Sequence, residues 1–445
     1  MRLEDLGFKE PDFKSFDEIG KPYKIYAELI DDESQKQFED VLNAPFVTRG
    51  ALMPDAHSGY TMPIGAVCAT KDVVVPQFVG FDIGCGMCAY KTDFSKEDVE
   101  VNATQIYEAI RDVIPLGFSR HKNHQPFKCD LELTSFAKSV LNSTGLKQLG
   151  TLGGGNHFIE VGYGKDGKAW IVIHSGSRGF GHKIATHYMI EAYKQKHGGD
   201  KELERRLKVF EERNSGFKEH NLEGYKKAYE KFKNKQILDI NKKLKPDNIK
   251  GIYGLDVHSE LGKDYIKDLN FALNFALENR KLMITRIVKA MDEILKTNSK
   301  IEYEDEARFI NKNHNHAEFD EKSGEWIHRK GATHAELGMR GVIPGNMRDG
   351  SFVVIGKGNI DSLNSSSHGA GRVMSRNKAK EAVKLEDFKD AMRGIVGTVD
   401  ENTLDESPFA YKNIFEVMAL QKDLVEVEEH IKVIINVKDN GVRKF

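Results

Sequence analysis

The chain has 445 residues, a formal net charge of −2, 39% hydrophobic and 30% charged residues. That balance is the one expected of a soluble globular enzyme with a real core, and the length exceeds the usual span of one domain. No apolar run of about 18 residues occurs and the first residues, Met1 to Phe13, carry no apolar stretch, so neither a membrane span nor a signal peptide is expected. The chain is not globally basic, so any nucleic-acid surface must be a local patch. Four cysteines (Cys68, Cys85, Cys88 and Cys129) are too few and too unevenly placed for a disulfide framework, which points to the reducing cytoplasm.

In chain order, residues 45–92 read as short apolar strands broken by Gly and Pro, at Gly65–Ala69, Val73–Pro76 and Met87–Tyr90. Residues 147–178 hold a glycine-rich turn, a strand at Trp170–Ile173 and the run His174-Ser175-Gly176-Ser177-Arg178. Residues 185–250 are polar, lysine-rich and helical in pattern, as a charged surface insertion would be. Residues 263–297 place Ile266, Leu269, Leu273, Ala276, Leu277 and Leu282 at helical spacing, which predicts a buried helix whose Asn270, Asn279 and Arg280 either face the site or pair locally. From Ser351 onward the pattern alternates strand and loop and ends in an apolar strand at Ile431–Lys438. No linker and no internal repeat is visible. One large α+β domain over 1–445, built round a mixed β-sheet with a helical insertion at about 185–250, is expected.

The most informative run is Asn364-Ser365-Ser366-Ser367-His368-Gly369-Ala370-Gly371-Arg372. Small neighbours leave the imidazole reachable by a bulky reactant and let backbone N–H groups approach an anion. An arginine four residues on can clamp a phosphate. Such a histidine can take a phosphoryl or nucleotidyl group on a ring nitrogen, or it is a turn histidine in a glycine-rich loop. From His328 to Lys384 ten basic residues stand against four acidic ones, a local excess of six around His368. That suits a phosphate-rich substrate, although charge runs also occur on merely solvated faces.

Four glycine-rich turns or strand ends each carry a metal-ligating side chain: Asp82 and Cys85, then His157, then His174, then His314. One thiolate, one carboxylate and three imidazoles make a mixed set unlike a cysteine-rich structural zinc site. Five ligands exceed the needs of one tetrahedral ion, so two ions sharing the thiolate is the reading adopted. Cys85 as a small buried residue is the bland alternative, and Cys88 is assigned to it. Of the pair His314 and His316, His314 is taken as ligand and His316 as its support.

The chain resembles the RtcB family of GTP-dependent RNA ligases. The likeness rests on Met53-Pro54-Asp55-Ala56-His57-Ser58-Gly59, Asp82-Ile83-Gly84-Cys85-Gly86, Gly155-Asn156-His157-Phe158 and His174–Gly179. It continues through His314-Asn315, His328–Ala332, Pro344–Met347 and His368–Arg372, in family order from about residue 50 to the end. The resemblance implies that His368 forms a histidine–GMP adduct with GTP and that Asp82, Cys85, His157, His174 and His314 hold two manganese ions bridged by Cys85. It implies nucleotide contacts from Asn156, Phe158, Glu160, His314, Asn315, Pro344, Gly345, Asn346, Met347, Ser351, Gly369, Ala370, Gly371, Arg372, Tyr411 and Lys438. Arg178, Arg372 and Arg376 match arginines that contact phosphate or RNA. The implied reaction joins an RNA end bearing a 2′,3′-cyclic phosphate or 3′-phosphate to a 5′-hydroxyl end, in RNA repair or tRNA splicing. Broken RNA and GTP are the implied partners, and an archease-like activator is a candidate third. His316, His334 and Asn346 depart from the family pattern and bear on substrate preference, since they spare the ligands and His368. A metal-dependent cyclic phosphodiesterase without ligation, needing neither His368 nor GTP, is the rival reading.

Overall fold

A computed structural model describes residues 3–244, 249 and 251–441. The strand Lys168–Ser175 is buried along all but its first residue. A strand apolar on both sides belongs in the middle of a covered sheet. It lies there, third in the order Phe309–Asn313, Gly86–Ser95, Lys168–Ser175, Phe158–Tyr163, Val425–Val437, Ser351–Gly356, Arg340–Pro344. All these pairs are antiparallel, while the short strand Val396–Gly397 runs parallel to Val425–Val437. The two edge strands Phe309–Asn313 and Arg340–Pro344 touch, so the sheet rolls round an inner face of Met87, Phe158, Trp170, Val172, Val342 and Val353. Its outer face packs Ile159, Ile171 and Ile173 against Met283, Ile284 and Ile287 of one long helix. A second mixed sheet runs Asn315–Asp320, Glu325–Lys330, Ile64–Thr70, Val47–His57, Tyr23–Ile25. The expected α+β class with a mixed-sheet core is what is found.

The long helix is Glu260–Leu295, with Ser259 accepting a hydrogen bond from the Gly262 N–H at its start. Its apolar face is buried as the periodicity predicts, and two polar residues share that burial. Asn279 accepts from the N–H groups of Gly150 (2.7 Å) and Thr151 (3.1 Å). Arg280, fully buried, donates to the carbonyls of Gly84 (2.9 Å) and Ser175 (2.7 Å) and to the side chains of Asn311 and Asn313 (both 2.7 Å). One guanidinium therefore ties the Asp82–Cys85 turn to the strands that deliver His174 and His314. Asn270 is exposed and takes no part. Replacing Arg280 by Met should cost at least about 3 kcal/mol, because several buried acceptors lose their donor at about 1–3 kcal/mol each. Urea unfolding checks this, and an unchanged midpoint would show the clasp to be dispensable.

Helix over 185–250 is present but starts earlier and serves two purposes. Arg178–Lys196 buries Phe180, Ile184, Ala185, Tyr188 and Met189 against the core, while Gly199–Arg213 and Leu222–Lys243 form the charged, peripheral part. Residues 245–248 and 250 of that stretch lie outside the described residues. Two readings need correction. At Val73–Pro76 only Val73–Val74 is strand, because Pro76 opens a short helix, the position where its missing N–H costs nothing. Beyond Ser351 the chain is not only strand and loop: helices form at Arg376–Ala382, Leu385–Ala391 and Ile414–Ala419. The first and last are capped by Ser375 and Asn413, whose side chains satisfy the free N–H groups of such short helices.

Candidate active site

The chain leaves the first sheet at Asn313 and enters the second at Asn315, so His314 sits at the junction between them. Its N–H donates to the Cys85 carbonyl at 2.8 Å and its own carbonyl accepts from Ala332. The Asp82–Cys85 turn is pressed onto the long helix at Gly84, where φ is +70° and a Cβ would stand 2.9 Å from the Ala276 side chain. Gly176 faces the turn from the other side, and a Cβ there would lie 2.4 Å from Asp82 Oδ1. Gly84 thus makes room for the helix and Gly176 for the carboxylate.

The five expected ligands converge. Cys85 Sγ lies 3.4 Å from His157 Nε2 and 3.1 Å from His174 Nε2. His157 Nε2 is 2.9 Å from Asp82 Oδ2, and His174 Nε2 is 3.1 Å from His314 Nε2. The other ring nitrogens of His157 and His174 face the carbonyls of Leu152 (3.0 Å) and Asn156 (3.2 Å). Those carbonyls only accept, so Nδ1 carries the proton and the Nε2 lone pairs point inward. Burial holds the His174 and His314 imidazoles well below their usual range, so both are neutral. Burial, then the Asp82 carboxylate, pushes the Cys85 thiol well up, so a thiolate there needs a cation beside it. Lone pairs and a thiol packed this closely fit a metal, and Cys85, His157 and His174 alone form a metal-capable group. Cys88 is buried in the apolar core, as expected. His316 turns away: it lies 3.7 Å from Glu318 and 3.4 Å from Arg329, in a cluster that His334 joins at 3.1 Å from Glu318. Two of the three family departures therefore share one partly buried charged cluster, where the second sheet meets the short strand Ala332–His334.

His368 follows the strand Ser365–Ser367, and its ring lies 4.8 Å from that of His314. Its Nδ1 is 2.7 Å from Asp55 Oδ2, and the same oxygen accepts from the backbone N–H of His368 (3.0 Å) and Gly369 (3.2 Å). Asp55 is fully buried, and its Oδ1 has no hydrogen-bond partner among the described residues. Burial acts to raise its pKa, but the charge and hydrogen bond of His368 outweigh that and hold the carboxyl below its ordinary range. A carboxylate on Nδ1 leaves Nε2 as the ring nitrogen with the free lone pair. Asp55 lies within the Met53–Gly59 run, but an acid 313 residues from its histidine gives no local signal in the sequence.

His368 borders two cavities. The larger, about 770 Å³, is lined by Asn156, Phe158, Pro344–Met347, Gly369–Arg372, Arg376, Tyr411 and Lys438. The smaller, about 300 Å³, is lined by Asp82, Cys85, His314, Asn315 and Lys330. Asn315 also holds the turn, donating to the Asp82 carbonyl and accepting from the Gly331 N–H. Arg178 borders neither cavity. It lies beneath the cluster with φ +58°, bonded to Thr151 and the Gly117 carbonyl and 3.5 Å from His157 Nδ1.

The cations of the larger cavity are gathered by an acid that sequence reading missed. Glu406 pairs with Lys438 at 2.6 Å, Arg376 at 2.5 Å, Arg372 at 3.3 Å and the Tyr411 hydroxyl at 2.7 Å. Asp405 holds Arg376 as well, at 2.6 Å. The local basic excess ends at this acidic pair. Lys330 is buried, and desolvation alone pulls its pKa down to about 7.

Glu160 and Ser351 lie behind the wall of the larger cavity. Glu160 pairs in register with Asn436, which does line it, and Glu160 Oε1 and Asn436 Oδ1 have no hydrogen-bond partner among the described residues. Burial pushes the Glu160 carboxyl up from 4.5 to about 8, against a smaller opposing effect of Ser351. Between those values the folded protein holds one proton more than the unfolded chain, so this group makes stability fall as pH rises through that window. Glu160→Gln carries no such proton. The ligand-free wild type should lose melting temperature relative to Glu160→Gln from pH 5 to pH 8, whereas parallel curves would exclude a protonated Glu160.

Fold and site define a class: an α+β enzyme with a buried, metal-capable cluster against a carboxylate-held histidine. The family model described as tRNA-splicing ligase RtcB matches residues 37–139 and 128–439. An RNA-splicing ligase RtcB of Escherichia coli (strain K12) is 33% identical over 430 residues, covering 92% of this chain and 95% of the relative. A tRNA-splicing ligase RtcB of Pyrobaculum aerophilum is 28% identical over 480 residues (89% and 90%), and one of Nanoarchaeum equitans 27% over 489 residues (91% and 92%). The chain belongs to the RtcB family. Among the described residues no helix is long and apolar enough to cross a membrane.

Proposed function

We propose that this chain is an RNA ligase that uses GTP to join an end carrying a 3′-phosphate or 2′,3′-cyclic phosphate to a 5′-hydroxyl end, in tRNA splicing or RNA repair. The observation that carries the reading is the position of His368: Nδ1 is held by buried Asp55, and the ring stands between the two cavities and against the cluster. His368 Nε2 attacks the α-phosphorus of GTP, the bond to pyrophosphate breaks, and pyrophosphate leaves with the electron pair. Asp55 stabilises the positive charge that grows on the ring. An RNA 3′-phosphate oxygen next attacks the same phosphorus, and the N–P bond returns its electrons to Nε2. The 5′-hydroxyl then attacks the 3′-phosphorus, loses its proton and expels GMP. Arg372, Arg376 and Lys438 receive nucleotide phosphate by exchanging it for Glu406, which holds them meanwhile.

Asp82, Cys85, His157, His174 and His314 would hold two manganese ions, which when bound supply neutralisation of phosphate charge and activation of water for opening a cyclic phosphate. This supporting role leaves the histidine chemistry to the chain's own residues. Acid-labile transfer of label from α-labelled GTP to the protein tests the reading. Label on the protein is expected. Opening of cyclic phosphates with no label would favour the phosphodiesterase reading instead.

A further inference from the structure

Three aromatic rings stand in a row at the edge of the smaller cavity. Tyr60, 59% exposed, meets Phe81 edge-on, with centroids 5.5 Å apart and planes at 83°. Phe81 stacks on His182 at 5.2 Å and 20°. Tyr60 and Phe81 line the cavity, and His182 is exposed on the helix that begins at Arg178. Each ring comes from a different motif of the site: Tyr60 follows the Met53–Gly59 run, Phe81 precedes Asp82, and His182 lies four residues after Arg178.

The interior of the same cavity carries polar groups without protein partners. Neither polar atom of the buried Gln77 amide has a hydrogen bond among the described residues. Lys330 lines the cavity and forms no ion pair among the described residues. A buried amine with no counter-ion complements a phosphate, whose charge favours its protonated form, and exposed rings beside it complement a base. Single-stranded RNA ends are read in this way, by bases splayed onto aromatic side chains.

We propose that the Tyr60–Phe81–His182 ledge stacks the terminal base of the phosphate-bearing RNA end, whose phosphate enters the smaller cavity beside Lys330. The assignment rests on the ligase reading. It chooses the phosphate-bearing end because a 5′-hydroxyl end brings no terminal phosphate for the cation. Every base has a π-face, so the ledge tolerates any base and penalises only its absence.

The test compares joining rates for RNA ends that carry a normal or an abasic terminal nucleotide, in wild type, Tyr60→Ala, His182→Ala and Tyr60→Trp. In wild type an abasic phosphate-bearing end should lower kcat/KM by about five- to hundred-fold, the range of one base–aromatic stack. An abasic 5′-hydroxyl end should cost nothing. Tyr60→Ala and His182→Ala should shrink the abasic penalty towards unity, and Tyr60→Trp should keep it. A general defect of folding would slow both substrates alike and leave the ratio untouched. Wild type that joins ends with no abasic penalty, or with the penalty confined to the 5′-hydroxyl end, would overturn the ledge and leave the ligase reading standing. So would a penalty undiminished in the Tyr60→Ala, His182→Ala double variant. Wild type that joins no ends at all would overturn the ligase reading itself.

Discussion

Alanine at His368 is expected to abolish transfer of label from α-labelled GTP to the protein while metal content stays near that of wild type. In the proposed first step the imidazole is the electron-pair donor, so its loss leaves the α-phosphorus no nucleophile. The five clustered side chains should keep their positions, since His368 is held by Asp55 and has no hydrogen bond to any of them among the described residues. Joining of both 3′-phosphate and cyclic-phosphate ends should stop with it, because on the proposed route both pass through the same guanylylated intermediate. Asp55→Asn should act through the tautomer. An amide can donate to Nδ1, which moves the ring proton to Nε2 and removes the lone pair from the reacting side, and adduct formation should fall by about 10²–10⁴-fold. Wild-type-like labelling of His368→Ala would move the nucleophile elsewhere.

Alanine at Cys85 is expected to empty the metal centre. Its sulfur touches both halves of the cluster, His157 with Asp82 on one side and His174 with His314 on the other. Removing it leaves each half with two ligands and an open side. A mixed thiolate, carboxylate and imidazole set suits a borderline divalent ion, and a site that also binds substrate oxygen suits manganese. Bound manganese should fall from about two ions per chain to near zero in Cys85→Ala, while Asp82→Ala should lose about one. The measurement is metal analysis of purified, folded protein. Full occupancy in Cys85→Ala would rule out a shared thiolate.

Much of this site was legible in the sequence because each piece is short and glycine-rich. Asp82 with Cys85, His157 in Gly155–Phe158, and His174 at a strand end declare themselves by spacing that needs no tertiary information. The long helix was legible from its apolar repeat, and the central strand from its continuous apolar run. What escaped is what the fold brings in from far away. Asp55 reaches His368 across 313 positions, and Glu406 collects Arg372 and Arg376 from one segment and Lys438 from another. Asn279 and Arg280 looked able either to face the site or to pair locally, and only the packing of their helix decides for clasping the ligand-bearing turns. The helices after Ser351 escape because six or seven residues are too short to show an apolar helical repeat, and caps from Ser375 and Asn413 hold two of them. Counting charge from His328 to Lys384 overstated the basic patch, since its counter-ions Asp405 and Glu406 stand beyond the window.

Dependence of joining on GTP tests the central claim most directly. Uniting a 3′-phosphate with a 5′-hydroxyl expels the equivalent of water and needs GTP cleavage to drive it. Enzyme shown to carry no preloaded GMP, given manganese and RNA with those two ends, should form joined product only when GTP is added and should release one GMP per junction. Joining that runs equally well without any nucleotide would contradict the account and leave a metal-dependent phosphodiesterase working in reverse.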